Sequence, residues 1–271
     1  MGPVTLTVAD LPRALAFYRE RIGLRVHEED GVSARLGVGG DDLLVLHGRK
    51  NAARAVGTTG LFHVAILLPS RAALARALHR FATTRTPLQG AADHRVSESL
   101  YLADPEGNGI ELYRDRPRES WAWDGGLVGM ATDPLDLDAL LAEGEADETP
   151  WTGLPAGTTI GHVHLRVAHI APAERFYCDV IGFDLTARYG DRASFVAAGG
   201  YHHHVAFNTW MGVGAPPPPP GAAGLQEFVI RLDDADAVGR VLTRARAAGA
   251  PAGPENVLCD PSGNAVRLVA R

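Results

Sequence analysis

The sequence predicts an α+β protein made of four βαβββ modules, two in each half of a tandem duplication. Two repeated segments support this prediction. Residues 17–24 (FYRERIGL) recur 159 positions later as residues 176–183 (FYCDVIGF). Residues 104–112 (DPEGNGIEL), whose first five residues suit a turn, recur 156 positions later as residues 260–268 (DPSGNAVRL). Within each half, the hydrophobic pattern runs twice from a strand to a helix and on to further short strands.

The first two modules each begin with a strand and a capped helix. Residues 4–8 alternate apolar and polar side chains, as a half-buried strand does. Asp10 can cap the helix that follows, and Gly23 is well placed to end it. Residues 62–67 begin module two, and Ser70 can cap its helix.

The last two modules repeat this order. Residues 162–167 form the predicted first strand of module three, and its helix runs to Gly182. Residues 226–232 form the predicted first strand of module four, and its helix ends near Gly249. Four modules therefore account for the length of the chain.

We assign residues 1–116 to a first domain, 117–158 to a linker and 159–271 to a second domain. Three of the four tryptophans lie in the linker, which argues against a floppy connection: Trp121, Trp123 and Trp151. We expect the linker to pack across both halves and to contain one short helix.

The composition excludes several classes of protein. The chain has 271 residues, 46% hydrophobic and 21% charged, with a formal net charge of −6, which is typical of a globular protein and gives no basic face for nucleic acid. Two cysteines cannot build a disulfide framework. Because the chain has neither a signal-peptide pattern nor a long apolar run, we expect a cytoplasmic protein without a membrane segment.

Histidine-rich motifs point to the family. They comprise residues 93–98 (DHRVSE), 161–165 (GHVHL), 200–204 (GYHHH) and 208–210 (NTW). Together with the FY…IG helix end and the DPEGN turn, they resemble the vicinal oxygen chelate superfamily, which includes glyoxalase I, bleomycin-resistance proteins and extradiol dioxygenases. More narrowly, the chain is similar to two-domain bacterial catechol 2,3-dioxygenases. The resemblance implies two tandem glyoxalase-like domains whose curved, mixed sheets form metal-binding cups.

In that superfamily the metal ligands come from the first and last strands of the modules. The positions that we align on the first strands, in module order, are Pro3, His63, His162 and Glu227. Those aligned on the last strands are Val45, Glu111, a residue of 203–205 in module three whose register stays open, and Arg267. The resemblance therefore implies a metal site of His63, Glu111 and His162, in a cup shared by modules two and three. Two imidazoles and one carboxylate suit Fe(II), with Mn(II) or another divalent metal as the alternative. Glu227 and Arg267 are expected to form an ion pair in place of a second site.

Further histidines and one tyrosine are candidates for acid–base catalysis. His203 or His204, together with Tyr201, could move the protons that ring cleavage requires, and His94 competes for that role. A structural role for the consecutive histidines stays open. Strand alternation puts His202 and His204 on one side and His203 on the other. His164 shares a face with His162. We expect His162 to be the ligand and His164 to support the ligands or to face the substrate, and the roles of these two histidines are exchangeable.

These expectations define an Fe(II)-dependent extradiol dioxygenase that acts on a small aromatic diol with O2, as a monomer or a homodimer. Two other functions remain open. A metal-dependent isomerase, lyase or transferase of the same superfamily would need no oxygen, and a resistance-type binding protein for an aromatic ligand would need no metal. Glu98 is expected at most to support a ligand histidine from behind.

Overall fold

A computed structural model describes residues 1–250 and 252–271, which form strands and helices in the predicted alternation. The strands in chain order are β1 Val4–Val8, β2 Arg25–Glu29, β3 Ser33–Gly37, β4 Asp42–Gly48, β5 Gly60–Leu67, β6 Gly90–Asp93, β7 Ser97–Ala103, β8 Gly109–Asp115, β9 Trp123–Asp124, β10 Leu127–Val128, β11 Thr159–Arg166, β12 Asp184–Tyr189, β13 Ala193–Ala197, β14 Val205–Asn208, β15 Gly224–Leu232, β16 Val257–Cys259 and β17 Ala265–Ala270. The α-helices are α1 Leu11–Phe17, α2 Arg71–Thr83, α3 Leu137–Glu145, α4 Ile170–Arg175 and α5 Ala235–Ala247.

Two large mixed sheets confirm the α+β class. One has the strand order β16-β17-β15-β1-β4-β3-β2 and combines modules one and four. The other has the order β12-β13-β14-β11-β5-β8-β7-β6 and combines modules two and three, as expected for a shared cup. In each sheet, the first strands of the two modules pair antiparallel, β1 with β15 and β5 with β11. Each sheet thus takes one module from each half of the chain, and the domain boundaries stay a prediction.

Module four departs from the pattern of the other three. In its described residues only β16 and β17 follow helix α5, and a 3-10 turn at Pro254–Asn256 precedes β16. Gly253 and Pro254 disfavour a strand at this place, because glycine weakens a strand and proline cannot donate to its ladder.

Local signals in the sequence set the helix ends. The Asp10 carboxylate accepts the Arg13 backbone N–H at 3.0 Å and caps α1, and the Ser70 hydroxyl caps α2 in the same way. The turns that continue α1 and α4 end at Gly23 and Gly182, with φ of 90° and 97°. Only glycine adopts that conformation without strain.

The FY…IG helix end and the DPEGN turn contact each other in each half of the chain, which explains why both segments are repeated. The Tyr18 hydroxyl donates to the Asp104 carboxylate at 2.9 Å, and Tyr177 donates to Asp260 at 3.1 Å in the second half. Asp104 also accepts two backbone N–H groups of its own turn and is buried. The sequence predicts only a turn here, and the structure shows in addition that the Asp104 carboxylate is buried and bonded to Tyr18. It fastens the helix of module one to the last hairpin of module two.

The linker packs on both halves. Its helix α3 lies against α2, where a Cβ at Gly144 would collide with the Ala75 carbonyl. Trp151 packs close to Gly23 of module one, and Trp121 lies with its ring centroid 5.1 Å from that of His202 in module three. No helix of the described residues is both long and apolar enough to cross a membrane.

Candidate metal centre and cavity

Three buried side chains converge on adjacent strands of the eight-stranded sheet. His63 lies on β5, Glu111 on β8 and His162 on β11, and β5 is the middle strand of these three. His63 Nε2 lies 3.0 Å from Glu111 Oε2, and His162 Nε2 lies 3.1 Å from the same oxygen. One donor atom of each residue lies within 4.8 Å of the other two. These three residues are the ligands that the resemblance to the family implies, and the fold brings them together.

The cluster fits a divalent metal better than it fits a hydrogen-bond network. His63 Nε2, which points at the cluster, makes no hydrogen bond although it is buried. Unpaired buried polar atoms are costly, so they mark a site for a missing partner. Metal–ligand bonds of about 2.1 Å at right angles put neighbouring donors about 3 Å apart, which matches the two distances to Glu111.

The protonation states also suit a metal. Burial lowers the pKa of His162 to about 4, so its ring is neutral at pH 7, the form that binds metals. Burial alone would raise the pKa of Glu111, but the adjacent His162 and His63 rings outweigh it and hold that pKa well below its ordinary value. The site therefore offers one anionic oxygen beside imidazole nitrogen.

The strand register identifies the last-strand position that the sequence left open. Glu111 pairs with Ala65, two residues after His63. In module three, the residue two after His162 is His164, which pairs with Ala206. The aligned position is therefore Ala206, and not a residue of 203–205. An alanine methyl cannot bind a metal, so this cup has three protein donors on one side and leaves other positions open.

The equivalent place in the seven-stranded sheet holds an ion pair. Arg267 Nε and Nη2 lie 2.8 and 2.9 Å from the two oxygens of Glu227. In the register of this sheet, Val45 pairs with Thr5 and Arg267 pairs with Val229. Thr5 lies two residues after Pro3, and Val229 lies two residues after Glu227, as in the other sheet. The expected ion pair is confirmed.

A cavity of about 750 Å³ opens next to the three-donor cluster. Aromatic side chains form one wall. The Phe62 ring lies with its centroid 4.9 Å from that of His164 and 5.0 Å from that of Trp210. His94, His164 and His203 also line the cavity. His164 Nε2 faces the Asn208 side-chain amide at 2.9 Å, so its ring is held beside the cluster rather than pointed at it.

His203 ends a hydrogen-bonded chain that leads away from the cavity. Its ring centroid is 4.0 Å from that of His162, and its Nδ1 lies 2.7 Å from His202 Nδ1. His202 Nε2 in turn lies 2.9 Å from the Asp115 carboxylate. A carboxylate only accepts, so His202 carries its proton on Nε2 and accepts from His203 Nδ1. Burial and the adjacent His162 and His202 rings lower the pKa of His203, so the ring is neutral and Nε2 keeps its lone pair.

The histidine run precedes β14 and lies outside any strand, so the predicted strand alternation does not hold there. His203 lines the cavity, and neither His202 nor His204 does. The His204 ring packs against Phe183, with centroids 5.8 Å apart. Tyr201 donates to Asp115 at 3.2 Å and lies behind the cavity wall. Of the candidates for acid–base catalysis, the fold thus brings His203, His164 and His94 to the cavity and leaves His204 and Tyr201 outside its lining.

Tyr101 is a cavity residue that sequence reasoning missed as a functional group. Its hydroxyl lies 2.6 Å from His94 Nε2, and His94 Nδ1 lies 2.6 Å from the Ala131 carbonyl oxygen. The carbonyl accepts, so His94 is protonated on Nδ1, and its Nε2 accepts a hydrogen bond from the Tyr101 hydroxyl. Burial and the charge of Glu111 raise the pKa of Tyr101, which stays a phenol. Tyr101 lies on β7, and no sequence motif around it could have identified it as a cavity residue.

Glu98 does not reach the cluster. Its carboxylate accepts from Arg71 at 3.0 Å, from Arg114 at 2.8 Å and from Arg116 at 3.2 Å. The expectation that Glu98 supports a ligand histidine was therefore wrong, because β7 turns this side chain toward the arginines.

Comparisons with known proteins agree with this architecture. The model of the family described as "Glyoxalase/Bleomycin resistance protein/Dioxygenase superfamily" matches residues 1–112 and 159–267. A protein of Bacillus subtilis (strain 168) named catechol-2,3-dioxygenase is 42% identical over 254 residues, which cover 92% of this chain and 88% of that protein.

Two solved structures share the fold at low sequence identity. A putative dioxygenase from Bacillus subtilis superposes with a TM-score of 0.66 at 14% identity, covering 100% of this chain and 85% of that one. Glyoxalase I from Zea mays superposes with a TM-score of 0.59 at 17% identity, covering 100% of this chain and 92% of that one.

Proposed function

Because the chain belongs to the glyoxalase/bleomycin resistance protein/dioxygenase superfamily, we propose that it is an Fe(II)-dependent extradiol dioxygenase. In this proposal it binds a catechol by both oxygens and opens the ring beside the diol with O2. Both oxygen atoms enter the product, so the reaction needs no external reductant. The name of the Bacillus subtilis relative supports the reaction class.

The observation that carries the proposal is the three-donor cluster with an alanine at the fourth place. His63, Glu111 and His162 would hold the metal, and Ala206 leaves its position free for other ligands. Two histidines and one carboxylate with open positions are the donor set of Fe(II) oxygenases, and Mn(II) suits the same donors. When bound, the metal supplies Lewis acidity and the open coordination positions at which two oxygens of a diol and O2 can meet.

In this mechanism His203 is the acid and base. Its free Nε2 accepts a proton from a substrate hydroxyl, because its Nδ1 proton is committed to His202. The Asp115 carboxylate holds the His202 ring in place and stabilises positive charge that develops along the pair. His203 can then return this proton to oxygen as the O–O bond breaks, and both oxygen atoms stay in the ring-opened product.

The other cavity residues orient the substrate and exclude water. Phe62 and Trp210 give an aromatic face on which a flat ring stacks. The Tyr101 hydroxyl, which donates its proton to His94, is a neutral hydrogen-bond acceptor close to Glu111. His164 supports this wall through its contact with Phe62.

The test is anaerobic loading of the protein with Fe(II), or with Mn(II) in parallel, followed by addition of catechols and oxygen. We expect a yellow ring-opened product and one O2 consumed per substrate. Metal bound at one per chain without oxygen uptake across a broad catechol panel would refute the dioxygenase. Metal-dependent turnover without oxygen would indicate an isomerase, lyase or transferase, and ligand binding without metal would indicate a binding protein.

A pair of adjacent histidines tests the acid–base assignment. His203→Asn should lower kcat about 100-fold or more, since positioned proton transfer contributes factors of that order. His204→Asn, whose ring lies outside the cavity lining, should stay within about twofold of the wild type. Metal content is measured for both variants, so that a loss of turnover is not confused with a loss of metal. Equal effects of the two substitutions would contradict the assignment.

A further inference from the structure

Two arginines line the cavity without a carboxylate partner. Arg166 is the last residue of β11, on the same face as His164 and His162, and Arg54 lies in the segment that joins β4 to β5. Arg54 is held there by a backbone bridge to Ala223. Strand spacing of about 3.3 Å per residue puts the Arg166 Cα about 13 Å from the His162 Cα. The arginines and the three-donor cluster therefore stand toward different ends of one cavity.

Neither guanidinium is neutralised by the protein. In the part of the chain that the structure describes, no carboxylate oxygen lies within 4.0 Å of either one. Arg54 has only a long contact with the Gly107 carbonyl at 3.4 Å, and Arg166 lies 5.5 Å from the centre of the Phe62 ring. Burial and the nearby charge of Arg54 both lower the pKa of Arg166. An anion between the two cations would relieve this repulsion and accept charge-assisted hydrogen bonds.

The aromatic wall connects the two ends. Phe62 contacts Arg166 on one side and the His164 ring on the other, and Trp210 completes the wall beside both. A ring stacked on this wall, with one edge toward the three-donor cluster, directs its opposite edge to the arginines. A diol without a negative charge would leave the Arg54 and Arg166 guanidinium groups unpaired in a partly desolvated part of the cavity.

We propose that Arg54 and Arg166 bind a carboxylate carried on the substrate, so that the substrate is an aromatic diol with a short acidic side chain. The identification of the diol rests on the proposed function. The anion-binding role of the two arginines rests on the geometry described here and stands independently of ring cleavage.

Binding of ligands without a diol tests the arginines on their own. The metal-loaded full-length protein is titrated with 3-phenylpropanoate and with the neutral 3-phenylpropanamide, followed by calorimetry and by tryptophan fluorescence. We expect the acid to bind about tenfold or more tightly than the amide, because hydrogen bonds to charged groups contribute a factor of that order. Arg54→Gln and Arg166→Gln should each remove most of this preference, and Arg166→Lys should retain part of it.

Arg49 supplies the matched control. It lines a second hollow of about 660 Å³ on the other side of Arg54 and Arg166, and it does not line the cavity. Arg49→Gln should keep the full preference for the acid. A preference that persists in both Arg54→Gln and Arg166→Gln would assign the carboxylate to the metal and overturn the proposal. Loss of the preference in Arg49→Gln would place the anion in the second hollow and overturn it equally.

Steady-state kinetics then separate the two proposals. With 3-(3,4-dihydroxyphenyl)propanoate and its amide as substrates, we expect the ratio of kcat/KM, acid over amide, to fall about tenfold in Arg166→Gln and to hold in Arg49→Gln. If no diol is turned over but the acid still binds preferentially, the proposed reaction fails and the anion site stands. If both diols are turned over equally well by the wild type, the anion site fails and the proposed reaction stands.

Discussion

Replacing Glu111 by glutamine should abolish metal-dependent stabilisation of the fold. Glu111 Oε2 is the atom that both histidine Nε2 atoms approach, at 3.0 and 3.1 Å, so the substitution removes the shared anionic donor at nearly constant volume. The carboxylate supplies the only negative charge of the cluster. Removing a residue that merely hydrogen-bonds to a metal ligand weakens metal binding about 10- to 100-fold, so removing the ligand itself should cost at least as much. We therefore expect the Kd of Glu111→Gln for metal to rise about 100-fold or more.

The expected change in melting temperature follows from linkage. A metal at 100 times its Kd stabilises the wild type by about 2.7 kcal/mol. With about 2.1 cal/mol/K of unfolding entropy per residue, this chain of 271 residues unfolds with about 0.57 kcal/mol/K, so the wild-type Tm should rise by about 5 °C. At the same metal concentration the variant is only near its own Kd, which leaves about 0.4 kcal/mol and less than about 1 °C.

The assay is thermal unfolding followed by circular dichroism, with and without Mn(II), which is stable in air. Electron paramagnetic resonance of the free ion gives the stoichiometry. Glu227→Gln is the matched control, because Glu227 is the carboxylate at the first-strand ligand position of module four and is bound by Arg267 rather than facing the cluster. That variant should melt lower without metal but keep the full rise with metal. An undiminished rise in Glu111→Gln, or a lost rise in Glu227→Gln, would refute the assignment of the site.

Three further predictions concern the scaffold, and each is measured by urea unfolding. Gly161→Ala should lower the free energy of unfolding by about 1–3 kcal/mol, because the added methyl collides with the buried Tyr113 hydroxyl; a neutral effect would contradict the packing described. Ser70→Ala should cost about 1 kcal/mol through the lost cap of α2, and a cost near zero would mean that the cap is replaced by water. Hydrogen bonds from Arg188 lower the pKa of Glu174 below 4.5, so Glu174→Gln should cost at most about 1 kcal/mol at neutral pH. Because that stabilisation is complete above 4.5 and is lost as the pH falls through the lowered pKa, the two proteins should converge in acid; a pH-independent difference would contradict the pairing.

The modules could be predicted from local and repeated signals, and the candidate metal ligands from the resemblance to the family. Caps and glycine ends act over three or four residues, and the sequence shows them directly. The family places its ligands on the first and last strands of the modules, and the register of β5 with β8 brings His63 and Glu111 together as that resemblance implies. Periodicity and repeats were therefore sufficient for the modules but not for the candidate ligands.

Other features depend on contacts that no local pattern encodes. The position of Ala206 requires the register of β11 with β14, which the adjacent histidine run obscures. The contact of Tyr101 with His94 depends on the turn between β6 and β7, and the pairing of His202 with Asp115 joins residues 87 positions apart. Arg54 reaches the cavity from a connecting segment, where neither hydrophobic periodicity nor a motif predicts the direction of a side chain.

The central strands of the two sheets pair in the same way, β1 with β15 and β5 with β11, so side chains account for the different chemistry of their cups. A carboxylate at 227 facing another carboxylate at 267 would place two like charges together and would need a bound cation. Arginine at 267 supplies that cation covalently and makes two parallel hydrogen bonds with Glu227, so this cup is neutral without any metal. In the other cup Glu111 faces imidazole rings instead, and His162 is uncharged at neutral pH because it is buried. Only a cup whose anion lacks a protein cation retains a driving force for metal binding.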